Sequence, residues 1–190
     1  MQLVNERILI DATALGRVVR RMAVETIEKS EGLDNLVLVG IHTGGVHLCE
    51  RIANAIEEVE GERPNSGRID ITLYRDDAFL GLPRPVIGET RIPNDSIAGK
   101  TVVLVDDVLF TGRTVRAALN ALLDFGRPSK ILLAVLVDRG RRELPVQADI
   151  VGYNVTTGPM HVVEAELKES GGTDQVVLYK RRTDAQEGGA

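Results

Sequence analysis

Apolar and polar positions alternate along this chain in blocks of two kinds. From Asp11 to about Lys29, the residues Leu15, Val18, Val19, Met22 and Ile27 recur near the spacing of a helix buried on one side. Asp11 or Thr13 is placed to cap that helix and Gly32 to close it. "LVLVGI" (Leu36 to Ile41) is instead a continuous apolar run, the pattern of a strand covered on both faces. Thr43, Gly44 and Gly45 lead from it into a second helical pattern with Cys49, Ile52, Ala53 and Ile56 on one face. "RIDITLYR" (Arg68 to Arg75) alternates Ile69, Ile71 and Leu73 and predicts a strand. Roughly 20 residues without a clear element follow, carrying Gly81, Pro83, Pro85, Gly88 and Pro93; so long a connection reads as a functional flap.

The second half repeats the alternation. A strand is predicted over Thr101 to Val105, then a helix from about Gly112 with Val115, Ala118, Leu119 and Leu122 inward, then a strand over Ile131 to Val137. Asp149 to Lys180 reads as short strands, and 181–190, "RRTDAQEGGA", as a frayed tail. Strands alternating with helices predict an α/β fold: a mostly parallel, doubly wound sheet flanked by helices. At 190 residues the chain suits one domain, expected over 1–180.

Composition changes this picture little, and charge narrows it. Aromatic residues are 3% of the chain against 43% hydrophobic in all, which suits a sheet of branched aliphatics. A net charge of -5 argues against nucleic-acid binding over the whole surface and leaves room for a local basic patch. The single cysteine, Cys49, allows no internal disulfide or Cys-x-x-Cys knuckle and sits at core spacing. His42, His47 and His161 lack metal-ligand spacing and read as surface or loop residues. No signal-peptide pattern and no run of about 18 apolar residues is present, so a cytoplasmic location with no membrane association is expected.

The candidate chemistry lies in "VVLVDDVLFTGRT" (Val102 to Thr114). Ligands of an open parallel sheet bind at the carboxyl ends of its strands, where Asp106 and Asp107 fall. Two adjacent acids there call for something to share them: sugar hydroxyls, a divalent cation or a developing positive charge. Thr111, Gly112, Arg113 and Thr114 then form a turn opening a helix, where backbone N–H groups, hydroxyls and the helix dipole suit a phosphate. Acids for hydroxyls and a phosphate nest one short loop apart match the two ends of a ribose 5-phosphate. Paired acids also occur in phosphoacceptor domains, and a Thr-Gly turn also merely caps helices. A P-loop is excluded, because neither G-x-x-x-x-G-K-[ST] nor G-x-G-x-x-G occurs.

This stretch resembles the phosphoribosyl-diphosphate (PRPP) motif of type I phosphoribosyltransferases. Together with "LVGIHTGG", "IDITLYRDD" and "GRPSKILLAVLVDRGRRELPVQADIVGYN", it resembles the PyrR family of pyrimidine-operon regulators and uracil phosphoribosyltransferases over nearly the whole chain. The resemblance implies a parallel sheet with a small hood over the base, and conversion of uracil and PRPP to UMP and pyrophosphate with Mg2+ held mainly by PRPP oxygens and water. It assigns the ribose hydroxyls to Asp106 and Asp107, the 5-phosphate to Thr111–Thr114, and PRPP contacts also to Val108, Leu109 and Phe110. Thr43, Gly44 and Gly45 match the pyrophosphate loop, Arg75 starts the flap with Tyr74, Asp76 and Asp77 as a catalytic candidate, and Asp138 and Arg139 border the uracil pocket.

The resemblance also implies a homo-oligomer and binding of pyrimidine-operon leader RNA, for which Arg20, Arg21, Arg141 and Arg142 fit. Two departures stand out. Thr43-Gly44-Gly45 replaces the common Thr-Arg-Gly, and Val24, Gln147 and Tyr153 stand where histidine or basic residues are usual. The intact PRPP motif favours catalysis; the alternatives are an RNA-binding regulator sensing UMP or UTP with little catalysis, or a transferase for another base.

Overall fold

Strand β2 (Leu36–Ile41) is buried along its whole length. In the computed structural model, which describes residues 2–76 and 88–182, it lies between β3 (Asn65–Ile69) and β4 (Thr101–Leu109). With β5 (Lys130–Asp138) and β6 (Ile150–Asn154) these make a five-stranded sheet in the order β3-β2-β4-β5-β6, every pair parallel.

The period of two along these strands divides the core between two faces. Leu36, Leu38, Val103 and Val105 pack with helices α1 (Ala12–Ser30) and α2 (Gly44–Glu60) through Leu15, Val19, Met22, Leu48, Cys49, Ile52 and Ile56. Val37, Val39, Val102 and Leu104 pack on the other side with α3 (Arg113–Leu123) through Val115, Ala118 and Leu122, and Leu119 is partly buried beside them. Asp11 is the cap of α1, its carboxylate accepting from the Ala14 N–H at 2.8 Å, and the helix ends as Glu31 and Gly32 turn left-handed.

A second sheet of order β1-β8-β7 is antiparallel and covers one end as the hood: β1 (Gln2–Ile10), β7 (His161–Glu166) and β8 (Gln175–Arg182). Val163, Leu167, Val176 and Leu178 join it to the α1/α2 side of the core. Arg51 of α2 ties it from outside, donating to Glu169 through Nε at 2.8 Å and to Asp174 at 2.6 Å.

Three expectations change. Strand β1 has no counterpart in the sequence reading, because its face is mostly exposed and its partner β8 is more than a hundred residues away. The strand expected over Arg68 to Arg75 lies instead at Asn65–Ile69, and the chain then turns into a 3-10 turn at Thr72–Tyr74. Ile69 and Ile71 are buried as their alternation predicts, but the Asp70 carboxylate accepts from the N–H groups of Thr72 (2.7 Å) and Gly88 (2.6 Å), and so draws the chain out of the sheet. Strand β8 continues through Arg182, two residues into the expected tail. Most of the expected flap, including Asp77, and the tail from 183 on lie outside the described residues. Of the connection, Arg91 bridges to Arg68 at the edge of β3, and Ile92 and Ile97 are buried.

Candidate active site

The site begins with the last residues of β4, which runs past Val105 to Leu109 and so carries both acids inside the strand. Adjacent strand residues leave the backbone toward opposite faces, yet the two carboxyls remain within hydrogen-bonding reach of each other. Asp106 continues the row of Val102 and Leu104 toward α3 and lines a cavity of about 240 Å3 with Arg75, Asp76, Val108 to Thr114. Asp107 continues the row of Val103 and Val105 toward α2 and rests against Gly44. Burial pushes the Asp106 carboxyl well above the usual carboxylate range, and the neighbouring Asp107 charge pushes the same way. The Asp107 N–H donates to Asp106 Oδ1 at 3.0 Å, and the Val108 N–H to Asp107 Oδ1 at 2.8 Å.

Beyond β4 the chain makes the phosphate-sized turn. Gly112 has φ +90°, a left-handed conformation that glycine enters without the steric cost a Cβ brings. It also packs against Val146 and Leu144, where an added Cβ would lie 3.3 to 3.4 Å from their side chains. Thr111 Oγ1 accepts the Arg113 N–H at 3.3 Å, and the Thr111 carbonyl accepts from Glu143 and Leu144. The first-turn N–H groups of α3 thus face the cavity without an acidic side chain among them. The Arg113 guanidinium donates to Asp76 (2.6 Å), which lines the same cavity, and to Glu143 (2.8 Å), and Glu143 and then Asp76 raise its pKa further.

The Thr43–Gly45 loop meets the same strand end from the α2 side. Gly45 lies so close to the Val105 carbonyl that an added Cβ would be 2.3 Å from its oxygen, and Gly40 is pressed equally closely on Val46. Thr43 places no side-chain cap on α2. His42 and Thr43 border a further cavity of about 290 Å3 with Asp70, Ile71, Thr72, Arg75 and Gly88. Arg75 lines both cavities and so stands between the two loops.

Asp138 and Arg139 follow from the register of β5, which sets Asp138 beside Leu109. The Arg139 guanidinium stacks 4.0 Å over the Phe110 ring and is buried; its Nε donates to Thr157 Oγ1 and its Nη2 to the His161 carbonyl at 2.8 Å. Burial lowers its pKa, with Arg141 and Arg181 acting in the same direction. His161 of the hood and Thr157 in the connection leading to it therefore shape the site, a role with no local signal in the chain. The His161 ring lies 2.9 Å from the Glu6 carboxylate of β1, so this histidine is a structural joint of the hood rather than a plain surface residue.

The structure thus gathers Thr43, Gly44, Gly45, Arg75, Asp106 to Thr114, Asp138 and Arg139 at one end of the sheet. The four arginines read as RNA contacts are dispersed in their bonding. Arg20 is exposed on α1, 3.9 Å from Glu58. Arg21 donates to the carbonyls of Val151 and Gly152. Arg142 turns inward to Asp138 and to the carbonyls of Phe110 and Val146. Arg141 is exposed, with φ +60°. Among the described residues no group of three or more acids, histidines or cysteines could hold a metal ion, and no helix is long and apolar enough to cross a membrane.

Comparison with known proteins agrees with this geometry. The phosphoribosyl transferase domain model matches residues 8–168. The "Bifunctional protein PyrR" of Chloroflexus aurantiacus is 54% identical over 93% of this chain and 96% of its own length, and that of Thermus thermophilus 53% identical over 91% and 95%. Among solved structures, the hypoxanthine phosphoribosyltransferase of Trypanosoma cruzi superposes with a TM-score of 0.69 at 21% identity, covering 94% of this chain and 98% of that one. A hypoxanthine-guanine phosphoribosyltransferase of Bacillus anthracis gives 0.66 at 17% identity, over 93% and 98%. These two share the fold. With residues 8–168 matched and relatives above 50% identity along nearly its full length, the chain belongs to the PyrR family of type I phosphoribosyltransferases.

Proposed function

We propose that the chain transfers the phosphoribosyl group of PRPP to uracil, giving UMP and pyrophosphate. One observation carries the reading: the Thr111–Thr114 turn and the Thr43–Gly45 loop approach the same strand end from opposite faces, with Asp106 and Asp107 between them. A ligand with a 5-phosphate at one end, a pyrophosphate at the other and a sugar between them fits that order.

In this reading the α3 turn holds the 5-phosphate with backbone N–H groups and threonine hydroxyls. The two carboxylates accept from the ribose hydroxyls and stabilise the positive charge that grows at the anomeric carbon as pyrophosphate departs. Arg75 lies between the two anion loops, placed to meet the leaving charge. Phe110, exposed and with the buried Arg139 stacked on it, offers a flat surface beside the sugar, suited to the face of a pyrimidine. Magnesium would be brought on PRPP oxygens and Asp106 and Asp107 would be the carboxylates to meet it there, where its charge would offset that of the leaving pyrophosphate.

Incubation with PRPP, magnesium and each of uracil, hypoxanthine and adenine tests the reading. UMP from uracil alone is expected; a purine nucleotide would assign another base, and no product with any base would reject the transferase.

The name "Bifunctional protein PyrR" carried by the relatives supports a second activity, attenuation of pyrimidine genes through binding of leader RNA, with UMP or UTP as the sensed ligand. Arg20 and Arg141 are its outward candidates, since Arg21 and Arg142 are engaged within the fold. A gel shift with that RNA, with and without UMP, tests it, and no shift at low salt rejects it. A cytoplasmic homo-oligomer completes the proposal, to be checked by light scattering and by cell fractionation.

A further inference from the structure

We propose that Asp107 is a resident anion of the Thr43–Gly45 loop, which an incoming pyrophosphate displaces, and that Gly44 is the residue that lets it sit there. The inference rests on the reading of that loop as the pyrophosphate site.

Gly44 is not among the residues with positive φ, so its backbone does not require glycine. Space does. A Cβ on residue 44 would lie 2.1 Å from Asp107 Oδ2, 2.6 Å from its Cγ and 3.1 Å from its Cβ. The Asp107 carboxylate therefore fills the volume that every other residue type would claim, and an arginine at 44 and this placement of Asp107 exclude each other.

The charge has a reason to rest there. Gly44 begins the 17-residue helix α2, whose first turn carries no acidic residue and no side-chain cap from Thr43. The positive end of the helix is thus open to an anion, and the Asp107 carboxylate is the anion at hand. Its other oxygen is tied to its own strand, accepting from the Val108 N–H at 2.8 Å. Consistently, Asp107 is absent from the lining of the cavity that Asp106 shares with the Thr111–Thr114 turn.

A pyrophosphate entering the loop brings more negative charge to the same helix end. The two anions repel, and the carboxylate must leave Gly44. Leaving is also what Asp107 needs in order to turn toward a sugar in the crevice. Occupation of the pyrophosphate loop and alignment of Asp107 on the ribose then become one event, and the small residue at 44 sets the coupling.

Binding of inorganic pyrophosphate, measured by calorimetry without magnesium or sugar, tests this independently of turnover. Asp107→Ala is expected to bind about fivefold tighter than the wild type at low salt, with the gain shrinking as salt rises. Gly44→Ala, which evicts the carboxylate sterically, is expected to abolish that gain when combined with Asp107→Ala. The proposal is overturned if Asp107→Ala binds no tighter than the wild type, including no binding by either. It is equally overturned if the full gain survives on the Gly44→Ala background. Should Gly44→Ala fail to fold by thermal melting, Asp107→Ala alone decides. A protein that passes this test yet makes no nucleotide from PRPP would retain the loop exchange and lose the transferase reading.

Discussion

Arg113 opens the helix at the phosphate-sized turn, and Asp76, which lines the same cavity, holds its guanidinium at 2.6 Å. Glu143 holds the same group at 2.8 Å. The cation that a sequence motif offers as a phosphate ligand is therefore a strut between the turn, the start of the connection from β3 to β4 and the segment after β5.

The backbone of the turn, rather than this side chain, should then set affinity for the 5-phosphate. Arg113→Ala is expected to raise the KM for PRPP by no more than about fivefold. Gly112→Ala puts a side chain at φ +90° and against Val146, and is expected to raise it by about tenfold or more. Steady-state kinetics with PRPP varied would compare the two; equal effects would return the phosphate role to the guanidinium.

Much of this site is legible in the chain because it is local. The run from Val102 to Leu104, the acids and the Thr-Gly-Arg-Thr turn all lie on one strand-turn-helix unit. What escapes the sequence is non-local. Gly44 touches Asp107 across more than sixty residues, Arg139 finds its partners in His161 of the hood and Thr157 in the connection leading to it, and β1 finds β8 near the far end of the chain. The displaced third strand shows the other limit: Ile69 and Ile71 alternate and are both buried, but burial at alternate positions does not keep a chain in a sheet once Asp70 captures the next N–H groups.

The different surroundings of the two acids, Asp106 buried and Asp107 against Gly44, give them different expected phenotypes. Asp107→Asn keeps a hydrogen-bonding group and loses the charge that would face the developing cation, so kcat is expected to fall by about a hundredfold with the melting temperature nearly unchanged. Stopped or coupled assays of UMP formation, paired with a thermal melt, would check it; turnover near that of the wild type would remove Asp107 from the chemistry.

Asp106 should behave in the opposite way toward stability. Its folded pKa is raised by burial and by the Asp107 charge, so the folded state gives up this proton at higher pH than the unfolded state. Stability is then greatest below the unfolded carboxylate pKa and declines as pH rises through the window up to the raised value. Asp106→Asn removes the buried charge while its side-chain oxygen can still accept the Asp107 N–H. A gain of roughly 2 to 4 °C in melting temperature at pH 7 is expected, together with loss of turnover. A lower melting temperature in the variant would show that the carboxylate stabilises the free protein.

The hood provides a prediction of the reverse sign. Hydrogen bonds from Arg51 hold the Glu169 carboxyl below its usual range. They do the same for Asp174 against the opposing effect of its burial, helped by the Lys168 N–H and the charge of Arg51. Depressed carboxyl pKa values contribute stability above the unfolded values near 4 and lose it as pH falls through the lower folded ones. Arg51 and Asp174 are largely buried, whereas Glu169 is 40% exposed and screened, so the cluster is expected to contribute about 1 kcal/mol rather than the sum of its contacts. Arg51→Ala should lower the melting temperature by about 2 to 4 °C at pH 7 and by progressively less toward pH 3, so that the two melting curves converge in acid. A difference that stays constant across that range would mean that Arg51 supports the hood through the packing of its aliphatic stem instead of through its charge.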